Sequence, residues 1–302
     1  DRGPGVFNLT SGNGAPDAYL AKYAPDGSLL WAGQITDAGP INGYRIGLAR
    51  AGNGDVVMTA SFTGTVDFDF GAGVTSLTSG ASADAFVARY TSAGNLVWAR
   101  RLGGGTSYLT GNTLTIDGAG NIYTAGVMSM GTADMDPGVG AFTLTNVSGN
   151  ANTYIAKLDG NGNFVWAGMF ANDPTIAAGI WATDIAVDAN QSLYITGIYT
   201  GRADFDPLTG AGNVSWRTTA DVGFPYGDAY VAKLTPAGAL DYVVTMGSSG
   251  GRDDGNGIVL DGAGNAYVTG DFQANLKVFS TTGTELASLF GAGVYDTYTL
   301  KL

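Results

Sequence analysis

The chain is 302 residues long, with 49 Gly, 45% hydrophobic and only 13% charged residues, and its formal net charge is −12. That apolar and aromatic content excludes a disordered chain, while an acidic balance without any Lys/Arg cluster excludes nucleic acid and anionic membrane surfaces as partners. No apolar run approaches the ~18 residues of a membrane-spanning helix, and Cys and His are absent with Glu285 the only Glu, which removes the usual zinc and copper ligands.

The predicted elements begin with "DAYLAKY" (17–23) and "LLWAGQI" (29–35), two alternating segments joined by the turn-type stretch "APDGS". "LARAGNGDVVMTA" (48–60) then reads as strand, Gly/Asn turn and strand. An insertion follows, opening with "VDFDFGAG" (66–73) and running into the short alternating segment "VTSLTS" (74–79). "DAFVARY" (84–90) and "LVWARRL" (96–102) restate the first hairpin. The succession returns as "TLTIDGAGNIYTAG" (113–126), "ADMDPGVG" (133–140), "NTYIAKL" (152–158) and "FVWAGMF" (164–170). A third pass gives "TDIAVDANQSLYITG" (183–197), "ADFDPLTG" (203–210), "DAYVAKL" (228–234) and "LDYVVTM" (240–246). The last gives "NGIVLDGAGNAYVTG" (256–270) and ends on "DTYTLKL" (296–302).

Four main strands in two hairpins, repeated at intervals of 67, 68, 76 and 68 residues, predict an all-β fold. The architecture expected is a β-propeller of four-stranded antiparallel blades, with β-hairpin arms inserted between the second and third strands and projecting from one face. "DIAVD" is expected innermost, then "LYITG", then "DAYVAKL", with the Trp-bearing strand outermost. Tyr19, Phe86, Tyr154, Tyr230 and Tyr298 recur at one position and Trp31, Trp98 and Trp166 at another, as packing between blades requires. The whole of 1–302 reads as one propeller domain or part of one. Its divisions are a partial first blade (1–35), blades at 36–102, 103–170 and 171–246, and a partial last blade (247–302). The incomplete ends are expected to be completed by further repeats of a longer chain or by strand exchange with a neighbouring subunit.

The run of "DAYVAKL", "VWAG" and "IAVD" followed by "YITG" resembles the bacterial SBBP-type β-propeller repeat, over essentially the whole chain. That resemblance implies a propeller fold and an extracellular or cell-surface location in a bacterium. It offers no catalytic motif to carry over.

Three insertions open with paired aspartates: Asp67/Asp69, Asp134/Asp136 and Asp204/Asp206. Residues two apart on an extended chain face the same way, so each pair sets two carboxylates roughly 7 Å apart at ~3.3 Å per residue. One reading is a calcium site on each arm, completed by backbone carbonyls or a neighbouring blade. The other is solvated charge that keeps an exposed hairpin from pairing, together with turn formation. Zinc, haem and nucleotide are not expected.

Residues that depart from the repeat are the ligand-binding candidates. Trp181 and Trp216 are the Trp residues outside the repeated position, and Arg217, Phe224 and Tyr226 are close in sequence to the second. Aromatics beside an Arg suit a sugar ring or a protein partner on the arm face; the alternative is that they pack the longer third arm onto its own blade. "GSSGGRDDGNG" (247–257), with Arg252, Asp253 and Asp254, is a second departure, fit for a cation or polar ligand or simply a solvated loop.

Three functions remain open. The first is a non-catalytic surface module for adhesion or recognition of a protein or glycan. The second is a structural building block that self-associates through its incomplete terminal blades. A propeller polysaccharide-degrading enzyme is the third, but it needs two converging carboxylates. Glu285 lies in the last arm, and Asp184 has no acidic counterpart in the other inner strands.

Overall fold

The computed structural model describes residues 7–10, 17–37, 41, 45–208, 216–219 and 227–302. These form β-strands and no helix. The first repeat unit holds β1 (Ala18–Tyr23) and β2 (Leu29–Asp37). The second holds β3 (Gly47–Arg50), β4 (Val56–Phe62), an inserted hairpin of β5 (Thr65–Asp67) and β6 (Ser76–Thr78), then β7 (Asp84–Tyr90) and β8 (Leu96–Leu102). The third follows the same plan: β9 (Thr113–Ile116), β10 (Ile122–Met128), β11 (Gly131–Asp134), β12 (Thr143–Asn146), β13 (Asn152–Leu158) and β14 (Phe164–Asn172). The fourth has β15 (Gly179–Val187), β16 (Leu193–Thr200), β17 (Arg202–Asp204), β18 (Trp216–Thr218), β19 (Asp228–Leu234) and β20 (Leu240–Gly247). The fifth has β21 (Asp254–Leu260), β22 (Ala266–Phe272), β23 (Asn275–Phe279), β24 (Glu285–Phe290) and β25 (Asp296–Lys301).

All the strand pairs are antiparallel, and one sheet runs β3-β4-β7-β8. The same succession appears as β9-β10-β13-β14 and β15-β16-β19-β20 within larger sheets. The first strands of successive units, β3, β9, β15 and β21, lie side by side.

The period of two sends alternate side chains to opposite faces of each sheet. Ala85 and Val87 of β7 therefore pack with Leu114, Ile122 and Tyr154 of the third unit. Phe86, Ala88 and Tyr90 turn the other way, onto Leu20 and Ile35 of the first. Phe86, Tyr154 and Tyr230 are fully buried in this way, each worth about 1.5–3 kcal/mol for the apolar surface removed from water. The recurring Trp residues serve a different joint. The indole N–H of Trp31 donates to Ser92 O, that of Trp98 to Gly160 O and that of Trp166 to Pro236 O. Each thereby grips a turn of the following unit. In those turns Gly94, Gly162 and Gly238 have φ of +88°, +78° and +90°, and a Cβ on any of them would come within 3.1 Å of the indole. Gly is required twice over, by backbone and by space.

The inserted hairpins do not project freely, as the sequence had suggested. Thr36 of β2 pairs with Asp67 of β5, Ala171 of β14 with Asp204 of β17, and Thr245 of β20 with Phe279 of β23. A bridge between Gly103 and Asp134 makes the same link beyond β8. Each hairpin therefore extends the outer strand of the preceding unit. The physical reason is that an outermost strand leaves main-chain donors and acceptors unpaired, and the hairpin satisfies them.

Candidate functional site

The first strands begin at one end of the molecule, and their leading residues enclose a cavity of about 420 Å³. Arg45 stands before β3, Asn112 before β9, Trp181 and Thr183 within β15, and Arg252 before β21; all line this cavity, as does Thr200 at the end of β16. Four repeat units thus contribute to one site. Arg45 donates from Nη1 to Thr183 O at 3.3 Å, reaching from the second unit to the fourth. The first strands β3, β9, β15 and β21 that carry or adjoin these residues lie side by side.

Local structure places each side chain. A bulge between Ala182 and Asp184 interrupts the β15–β16 register, and the Thr183 hydroxyl donates to Thr196 O and to Gly255 O of the next unit. Asp184 is tied down alongside: its Oδ1 accepts from Ile185 N at 2.9 Å and its Oδ2 from Ile258 N at 3.0 Å. Trp181 is half-buried, and its ring lies over Gly179, where a Cβ would come within 1.9 Å of it. Gly179 therefore lets the indole settle flat along its own strand.

Arg45 and Arg252 are exposed at the rim. Arg252 Nε bonds Asp254 Oδ1 at 3.0 Å, whereas no carboxylate pairs with Arg45 among the described residues. Thr200 is 2% exposed and its hydroxyl has no hydrogen-bond partner. No Asp or Glu lines the cavity among the described residues. Behind the rim, Asp253 is fully buried; its carboxylate accepts from Ser248 N, Ser248 Oγ and Gln273 N. Burial pushes its pKa up to about 6 despite those bonds.

Of the ligand candidates read from sequence, Trp181 and Arg217 line different cavities. Trp181 lines the cavity above. Arg217 lines a separate cavity of about 400 Å³ with Asp228, Thr245 and Phe279, and its guanidinium donates to Thr281 O. The Trp216 backbone pairs with Asp204 in the hairpin of β17 and β18. Phe224 and Tyr226 lie outside the described residues. Arg45, Asn112 and Thr200 were not singled out by sequence reasoning. One signal was available: Arg45 stands two residues before β3, at the level of Gly111, Ala182 and Gly255 in the other units.

The paired aspartates serve as main-chain acceptors. Asp67 Oδ1 accepts from Asp69 N at 3.1 Å and Thr75 N at 2.8 Å. Asp134 Oδ1 does the same for Asp136 N and Phe142 N, at 3.0 and 2.9 Å. Asp204 Oδ1 accepts from Asp206 N at 3.0 Å, and Asp206 Oδ1 from Leu208 N at 3.2 Å. Asp69 and Asp136 cap their loops similarly, accepting from Gly71 N and Gly138 N. Among the described residues no group of three or more Asp or Glu gathers in one place.

The SBBP family, described as a β-propeller repeat, matches residues 97–127 and 246–271. No curated protein matches the chain. A similar solved structure is a protein of unknown function from Bacteroides caccae, 10% identical, with a TM-score of 0.39 over 91% of this chain and 73% of that one.

Proposed function

We propose that the chain is a non-catalytic recognition module at a bacterial cell surface. Its repeat units act as four-stranded propeller blades, and its ligand, a glycan or protein, enters the cavity at the head of the first strands. The observation that carries this reading is the composition of that cavity. It combines a half-buried aromatic, two guanidiniums and an unpartnered buried hydroxyl, the mix of apolar surface and few polar groups typical of ligand sites. The nearest carboxylates are engaged, Asp184 by Ile185 N and Ile258 N and Asp254 by Arg252. The pair of free acids that glycoside hydrolysis uses is not among the cavity's lining residues. The SBBP matches support the propeller part of this reading; the surface location rests on the resemblance of the sequence. An array of glycans and peptides tests the reading: the chain is expected to bind, Trp181→Ala is expected to abolish binding, and reducing-sugar release from polysaccharides is expected to stay at background. Binding unaffected by Trp181→Ala would overturn it.

A second reading has its own observation. β24 is the outer edge of its sheet, and all six of its residues are exposed, with Phe290 at 80%. An apolar, unpaired edge suits strand addition by another chain, as an assembly subunit requires. Concentration-dependent light scattering that Phe290→Lys suppresses would support it.

A further inference from the structure

We infer that the cavity at the head of the first strands takes an acidic sugar, a uronate residue of a polysaccharide, with its carboxylate between Arg45 and Arg252 and its ring against Trp181. This deepens the recognition reading and rests on it. The chain carries a net −12 with 14 Lys and Arg in all, yet two Arg from units far apart in sequence line one cavity that has no lining acid among the described residues. A guanidinium presents several donors in a planar fork that matches a carboxylate. Asp254 holds Nε of Arg252, which leaves its terminal nitrogens for an external acceptor. Arg45 shares one of its terminal nitrogens with Thr183 O and supplies a charge that no protein carboxylate neutralises within the described residues.

The remaining groups distinguish a sugar acid from a simple anion. Trp181 offers a flat apolar surface, against which the C–H face of a pyranose ring can lie; an inorganic ion has no use for it. Thr200 is 2% exposed and its hydroxyl is buried without a partner, which carries a desolvation cost of ~1–3 kcal/mol unless a ligand or water bonds it. A ring hydroxyl is the matching group. Asn112 also lines the cavity, and its carboxamide has both donor and acceptor capacity. A volume of about 420 Å³ lies in the lower part of the range for small-molecule sites.

The experiment is isothermal titration of the whole chain with three probes: a galacturonate oligosaccharide, the same oligosaccharide after carboxyl reduction, and a peptide with a free C-terminal carboxylate. The proposal expects the acidic oligosaccharide to bind at least tenfold more tightly than its neutral counterpart. It also expects Arg45→Gln and Arg252→Gln each to weaken the acidic probe several-fold while the thermal melt stays unchanged. Equal binding of acidic and neutral forms, or binding of neutral glycans alone, overturns the uronate inference but leaves glycan recognition standing. Binding of the peptide alone overturns the sugar and keeps a recognition site. If no probe binds and a wide glycan and peptide array is blank, both this inference and the recognition reading fail.

Discussion

Replacing Asp67 separates a structural role for the paired aspartates from a cation-binding one. Asp67 Oδ1 accepts two main-chain N–H groups, Asp69 at 3.1 Å and Thr75 at 2.8 Å, and so closes the loop of the inserted hairpin. Hydrogen bonds to a charged acceptor contribute about 1.5–3 kcal/mol each. Thr75 is exposed, so water replaces part of that loss, and Asp67→Ala should cost about 1–2 kcal/mol in total. For a chain of this size that lowers the melting temperature by about 1.5–3 °C. Asp67→Asn keeps an oxygen acceptor at the same place and should lose less than half as much. Asp134, which accepts from Asp136 N and Phe142 N, provides an internal replicate. The assay is a thermal melt of wild type, Asp67→Ala and Asp67→Asn, with EDTA and with millimolar Ca²⁺. The main-chain role predicts wild-type melts that superimpose in the two buffers. If Asp67→Asn falls as far as Asp67→Ala, and EDTA lowers wild type equally, the carboxylates hold calcium and the reasoning is refuted.

Asp184→Ala removes the acceptor for Ile185 N and for Ile258 N of the next unit. Two bonds to a charged acceptor, discounted because Asp184 is only half-buried, should cost about 2–4 kcal/mol; an unchanged denaturant midpoint would contradict this. Asp253 predicts a pH dependence. Burial raises its folded pKa from 3.8 to about 6, so the folded state binds this proton more tightly than the unfolded chain does. The contribution to stability is then fully present below the unfolded value and is lost as pH rises through about 6, by up to ~3 kcal/mol. Denaturant melts of Asp253→Asn across that window should show a flatter profile than wild type, and parallel profiles would refute the assignment. Gly162→Ala forces a side chain into a φ of +78° and against Trp98. It should cost about 1 kcal/mol or more in a thermal melt.

Much of the fold was legible because each unit repeats one hydrophobic pattern. The alternation in "DAFVARY" and "LVWARRL" specifies which residues face each neighbour, and the structure pairs β7 with β8 in that sense. The recurring Trp was legible as packing, although its partner, the turn ending in Gly94, Gly162 or Gly238, was not. The docking of the inserted hairpins escaped the sequence because their short segments carry no signal of which edge they will meet. Thr36 and Asp67 pair across a long separation, and only the geometry of the preceding unit decides it. The site escaped for a related reason. Arg45, Trp181 and Arg252 are far apart in the chain, and they meet because side-by-side first strands bring their leading residues to one opening. Trp216 stood out equally in the sequence, being a Trp off the repeat position, yet the structure places its backbone in a peripheral hairpin.

The most direct test of recognition at the head of the first strands is the indole region of a ¹H–¹⁵N spectrum during titration with the galacturonate oligosaccharide. The chain has five Trp, and the indoles of Trp31, Trp98 and Trp166 donate to carbonyls of neighbouring turns and do not line the cavity. The predicted result is a saturable shift of the Trp181 signal while these three stay in place. A shift of Trp216 with Trp181 unmoved would put the ligand at the peripheral hairpin and contradict the account.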